Sequence, residues 1–155
     1  MALPLYKDKF VQLSENNIAL SMYYFPTGTC KIIPLQKLRA VYYKKQQCMK
    51  DLIRTKDWGM SFSNVWWACD LRRHIHGPSN EKYNVVLDTG SAIKKGFSVE
   101  NIETFIETLR PLTYAIFRDD IPQTLFRKLC KAESQTTLSP TEVATNDQDV
   151  GHRNS

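Results

Sequence analysis

The chain has 155 residues, is 42% hydrophobic and 11% aromatic, and carries a formal net charge of +5; that suits one domain with a real core. It contains no run of about eighteen apolar residues, which excludes a membrane-spanning helix. The opening MALPLYKDKF has neither the basic lead nor the apolar stretch of a secretion signal. Cys30, Cys48, Cys69 and Cys130 lie far apart with no C-x-x-C, so reduced thiols and a cytoplasmic, non-secreted setting are expected, with nuclear and peripheral-membrane placements compatible.

A short strand is expected around Phe10 to Leu13. Ile18, Leu20, Met22 and Tyr24 alternate with smaller or more polar residues, and Phe25-Pro26-Thr27-Gly28 supplies a turn before a strand that begins at Cys30. Pro34 cannot donate to a ladder, so it marks an edge or a break before the strand from Leu38 to Tyr43. Trp58, Met60 and Phe62 alternate with small residues, and Val65, Trp67, Cys69 and Leu71 do the same in the next segment. Tyr83, Val85 and Leu87 form another strand, and Asp88-Thr89-Gly90-Ser91 is a hairpin turn leading into Ala92 to Phe97. That makes about seven strands. No helix-length periodicity interrupts them, so the expected sheet is antiparallel.

An amphipathic helix follows, expected from Ser98 to Arg110. Val99, Ile102, Phe105, Ile106 and Leu109 share one stripe while Glu100, Glu103 and Glu107 take the other side. Ser98 is the expected N-cap and Pro111 the stop. A second short helix is expected from Pro122 to Cys130, capped by Asp120. Residues 1–130 hold 19 Lys and Arg against 12 Asp and Glu, whereas the last 25 hold two against four. That final stretch is polar and has no aromatic residue, so residues 132–155 are expected to be a disordered acidic tail. Its Ser139-Pro140 step matches proline-directed kinases, a dipeptide common in such tails.

Short antiparallel strands closed by one C-terminal helix resemble the pleckstrin-homology-like (PH-like) superfold. Ile33-Pro34-Leu35-Gln36-Lys37-Leu38-Arg39-Ala40-Val41 is similar to a passage of bacterial-type PH-like and GRAM-like domains that joins an early strand to the next. Trp66-Trp67 in a middle strand, Gly90, and Gly96-Phe97-Ser98 running into the helix also fit. The resemblance implies a mainly β, α+β fold: a seven-stranded antiparallel open barrel or sandwich capped by the amphipathic helix. Its core would be residues 9–110, with a helical extension over 111–131. Many members hold inositol phosphates with basic residues in the first strand–strand loop. Here that loop, Ser14-Glu15-Asn16-Asn17, has one acid and no base, which speaks against that site.

The basic residues sit elsewhere. Lys37, Arg39, Lys44, Lys45, Lys50, Arg54 and Lys56 face only Asp51 in sequence and are interleaved with Tyr42 and Tyr43; Arg72, Arg73, Lys94 and Lys95 join them if the strands converge. Such a patch is either a solvated face that discourages edge pairing or a salt-sensitive attraction for anionic lipid or an acidic protein. Nucleic acid fits least, since no helix carries a basic stripe and no RNA-binding strand signature occurs. Strand alternation turns Trp66 outward with Ala68 and Trp67 inward, so Trp66 is expected either to lie across a neighbouring strand or under the tail or second helix, or to be an aromatic contact residue alongside Tyr42 and Tyr43.

No residue set identifies a reaction. Val85-Val86-Leu87-Asp88-Thr89-Gly90-Ser91 matches the aspartic-protease string, but that chemistry needs two carboxylates sharing a proton, and no glycine-rich flap follows; a hairpin turn explains the same residues. Cys69, His74 and His76 with Asp70 or Asp57 are the one metal-like set, better read as a buried thiol and two loop histidines. Neither a phosphate-binding loop nor a cofactor motif is present. Two readings remain: a non-enzymatic module that binds a protein or peptide partner, itself included, at a sheet edge or beside the helix, and a peripheral binder of anionic lipid such as phosphoinositide through the basic loop.

Overall fold

The computed structural model describes residues 3–46, 56–60, 63–73 and 81–126. These form a mainly β, α+β structure of two sheets and one α-helix with no closed barrel. Residues 127–130 of the expected helix from Pro122 to Cys130, the tail, and the histidines His74 and His76 lie outside the described residues.

The smaller sheet is an antiparallel meander of β1 (Tyr6–Lys7), β2 (Val11–Leu13), β3 (Asn17–Tyr24) and β4 (Thr29–Pro34). Asp8 shapes its first turn, accepting from the Phe10 and Val11 amides through Oδ1 and from the Tyr6 hydroxyl through Oδ2. Along β3 and β4 the period of two sends Ile18, Leu20 and Ile33 inward. The ladder is interrupted between Leu20 and Tyr24, where Met22 has φ +48°; a left-handed residue there makes the strand bulge and turn.

A 3-10 turn over Leu35–Lys37 carries the chain from Pro34 to the larger sheet. That sheet contains β5 (Ala40–Lys45), β6 (Gly59–Met60), β7 (Val65–Trp67), β8 (Tyr83–Asp88), β9 (Lys94–Val99) and β10 (Ile116–Arg118). Its spatial order is β10-β5-β8-β9-β7-β6. Ten strands, rather than about seven, are therefore present among the described residues, because several are only two or three residues long. The expectation of a purely antiparallel sheet is also corrected: β7 pairs parallel with β9, and β10 parallel with β5. Neither pair needs a βαβ helix. The β8–β9 hairpin inserts beside β7, and the helix returns the chain along β5.

The helix α1 spans Ile102–Leu109, shorter than the stripe suggested. Asn101 is its N-cap, with Oδ1 accepting from the Thr104 amide at 3.1 Å. Ser98 is instead a buried strand residue, and β9 continues through Val99. Ile102, Phe105, Ile106 and Leu109 pack with the inner faces of both sheets, Phe105 meeting Tyr6 and Phe97 edge-on at 5.4 and 5.9 Å.

β8 is buried on both faces. Val85 and Leu87 join this main core, while Val86 joins a second cluster with Val65, Trp67 and Ile121 on the opposite side. Beside that cluster lies a buried polar network. Gln46 Nε2 donates to Asn84 Oδ1 at 3.0 Å and to Ser98 Oγ at 2.9 Å; Ser98 donates to Asp70 Oδ2 at 2.6 Å, and Lys82 pairs with Asp70 at 2.7 Å.

Candidate functional site

Among the described residues, those singled out in sequence do not assemble into one surface. Tyr42 and Tyr43 are consecutive in β5, so their half-buried rings point to opposite faces, Tyr42 to the second cluster and Tyr43 to the main core. Lys44 and Lys45 meet acids: Lys44 pairs with Asp120 at 3.1 Å and Lys45 with Glu81 at 3.6 Å. Asp120 thus engages Lys44, which holds its carboxyl below the ordinary value, and among the described residues it is followed by a 3-10 turn over Gln123–Phe126. Lys56 is exposed and donates to the Met60 carbonyl at 3.2 Å. Lys50 and Arg54 lie outside the described residues.

Arg72 is exposed, but Arg73 is a correction. It is 1% exposed, stacks 4.6 Å from the Trp67 ring centroid, and donates through Nη2 to the Ala68 carbonyl at 3.0 Å. Burial pulls its pKa down to about 10, with Asp70 opposing; it remains charged at neutral pH and serves the interior. Asp88 also serves its turn. Its Oδ1 accepts from the Gly90 amide at 2.7 Å and from Lys94 Nζ at 2.8 Å, and Gly90 takes φ +79°. Burial tends to raise the Asp88 carboxyl, but Lys94 and the Gly90 amide outweigh it and hold it low. Among the described residues no group of three His, Cys, Asp or Glu side chains is placed to hold a metal. Burial raises the Cys69 thiol, and no described helix is long and apolar enough to cross a membrane.

Trp66 does reach a site, though not as the exposed anchor expected. It is half-buried against the main core, and its indole donates to the Tyr23 carbonyl at 2.8 Å. The bulge at Met22 makes this contact: the same carbonyl also accepts from Trp58 at 3.3 Å, and the Met22 carbonyl accepts from the Cys69 amide at 3.0 Å. Two indoles and one amide thus fasten the smaller sheet to the larger.

Beside this junction the two sheets separate and leave an apolar cleft of about 320 Å³, lined by Tyr23, Tyr24, Lys31, Trp66, Ile93 and Lys95, with Ser91 at its rim. Lys31 lies over the rings of Tyr23 and Tyr24, 5.3 and 5.1 Å from their centroids, and donates to the Tyr24 hydroxyl at 2.7 Å. Lys95 comes up from β9 opposite Trp66 of β7. Its Nζ donates to Thr89 Oγ1 at 2.8 Å, to the Ile93 carbonyl at 2.9 Å and to Ser91 Oγ.

Comparison of the chain with protein-family models, with curated proteins and with solved structures finds no match. The site must be read from its own chemistry.

One wall of the cleft is β4, the outer strand of the smaller sheet, which pairs only with β3 among the described residues. The Leu35 amide donates to the Asn16 carbonyl at 2.9 Å. Alternation back along β4 then directs the Ile33 and Lys31 amides at β3 and leaves those of Ile32 and Cys30 pointing outward. Pro34 fits the same pattern, since the amide it lacks would also face outward. Sequence reading missed Lys31 and Tyr23, and assigned Lys95 to the basic patch rather than to this cleft. The signal was present: Lys95 shares parity with Phe97 and Val99, and Lys31 with Ile33, so a strict period of two sends both lysines inward.

Proposed function

We propose that the chain is a non-enzymatic interaction module of PH-like architecture that binds an extended segment of a protein partner along β4. The observation that carries this reading is an open strand edge bordering an aromatic cleft. A six-residue strand with outward-facing amides offers main-chain hydrogen bonds, each contributing about 1 kcal/mol net. Tyr23, Tyr24, Trp66 and Ile93 supply the side-chain pocket that gives such binding its selectivity. The order of elements, short strands closed by one amphipathic helix, supports the PH-like assignment; the two parallel pairs depart from it.

The alternative of an anionic-lipid surface is weakened by the acids that face Lys44 and Lys45. Ile32, 63% exposed on the outer face, supplies the test. Ile32→Pro removes an outward amide and leaves the ladder to β3 intact. A random-peptide phage library selected on the full chain should yield peptides captured by the wild type and lost with Ile32→Pro, whose far-ultraviolet circular dichroism stays unchanged. Peptides that bind both proteins equally, or a library that yields none while the chain sediments with phosphoinositide vesicles, would overturn the reading.

A further inference from the structure

Four lysines of the described residues stand within ion-pair distance of carboxylates: Lys44, Lys45, Lys82 and Lys94. Lys31 and Lys95 do not, and they share one cleft with no acid among its lining residues. Lys31 donates to a phenol and lies over two ring faces. Lys95 is 8% exposed and donates only to two hydroxyls and a carbonyl. A nearly buried ammonium with no carboxylate within ion-pair distance is an unfavourable arrangement. Burial, and then the charges of Lys31 and Lys94, pull Lys95 below the ordinary lysine value, with the more distant Asp88 opposing.

An anion entering the cleft would relieve that state. Thr89 and Ser91 sit in a turn at the solvent edge, so a carboxylate can replace their hydroxyls on Lys95 while water satisfies them. The remaining walls, Tyr23, Trp66 and Ile93, favour an apolar body. We infer that the cleft binds a carboxylate attached to an apolar group, with the carboxylate between Lys31 and Lys95 and the apolar part against Tyr23, Trp66 and Ile93. Resting on the β4 reading above, this specifies the partner segment. A strand added to β4 places every second side chain on the Lys31 side, so the segment carries an acidic and an apolar residue two positions apart.

Three probes of nearly one shape test the charge requirement: phenylacetate, phenylacetamide and phenethylamine, each titrated into the isotope-labelled full chain and followed by amide resonances. Phenylacetate should shift the amides of Lys31, Ile93, Lys95 and Gly96. Phenylacetamide should bind about tenfold more weakly, the loss expected for a charge-assisted hydrogen bond, and phenethylamine should leave the cleft resonances unmoved. Lys95→Met should weaken phenylacetate by about the same factor; Lys31→Gln, at a half-exposed position, gives a second variant should the first not fold. Equal binding of all three probes, shifts elsewhere on the surface, or no shift with any probe would overturn the inference. If the probes fail while library peptides still discriminate Ile32→Pro, the charge requirement falls and the edge reading stands. Loss of that discrimination removes the edge reading instead.

Discussion

Gly96 owes its identity to Trp67. In the parallel pairing of β7 with β9 the two residues are opposite each other, and a Cβ on Gly96 would stand 2.6 Å from Trp67 Cδ2 and 2.8 Å from Cζ3. The ring is fully buried between this glycine and the Arg73 guanidinium, so it cannot step aside. Gly96→Ala should therefore destabilise the fold by about 2 kcal/mol, the usual cost of overpacking, read as a lower urea midpoint at unchanged slope; an unchanged midpoint would show that the indole has room to move. At this scale the sequence was partly legible. Parity correctly sent Trp66 and Trp67 to opposite faces, and Trp67 fills the second cluster while Trp66 meets the main core. What parity cannot tell is that the strand is covered on both sides. Trp66 is half-buried because a bulge far upstream in sequence, at Met22, brings the Tyr23 carbonyl over it.

Among elements, the clearest lesson is the start of α1. Ser98 and Asn101 are both good capping residues, and the apolar stripe continues back to Val99 because β9 is itself buried on both faces. Strand and helix periods overlap there, and only the ladder to Asn84 places Ser98 in the sheet. The loop that follows β7 shows a second limit, since no local pattern announces that Asp70 will anchor it. Burial alone would raise the Asp70 carboxyl, but hydrogen bonds from Lys82 and Ser98 and the charge of Arg73 outweigh it and hold it low. A carboxyl lowered in the folded state binds protons less readily than in the unfolded chain. Its contribution is complete above the ordinary carboxylate value, about 3.9, and is lost as pH falls through the folded value. Asp70→Asn should cost about 3 kcal/mol near neutral pH, because Lys82 loses its ion pair and Arg73 the stronger of the two carboxylates that act on it. Thermal melts should show that gap narrowing as the pH is lowered toward about 3; a gap that stays constant with pH would mean that Asp70 is held by shape rather than charge.

For the whole molecule, composition and alternation together specify a mainly β domain with one amphipathic helix, and that much is present. Strand order was not legible, because pairing between distant segments depends on which faces are buried, and β8 has no exposed face to fix it. The proposed binding surface was legible only in part. Trp66 is in it, whereas the basic run from Lys37 to Lys56 led elsewhere because charge density in sequence says nothing of the acids that Asp120 and Glu81 bring from other elements. The β4 edge and its cleft are the surface proposed to do the binding. Amide hydrogen exchange of the full chain, with and without a library-selected peptide, tests this most directly. New protection is expected at Cys30 and Ile32, whose amides face outward, and little change at Lys31 and Ile33, which already bond to β3. Protection gathered instead on Lys37 to Lys45, or spread evenly over both sets of β4 amides, would contradict it.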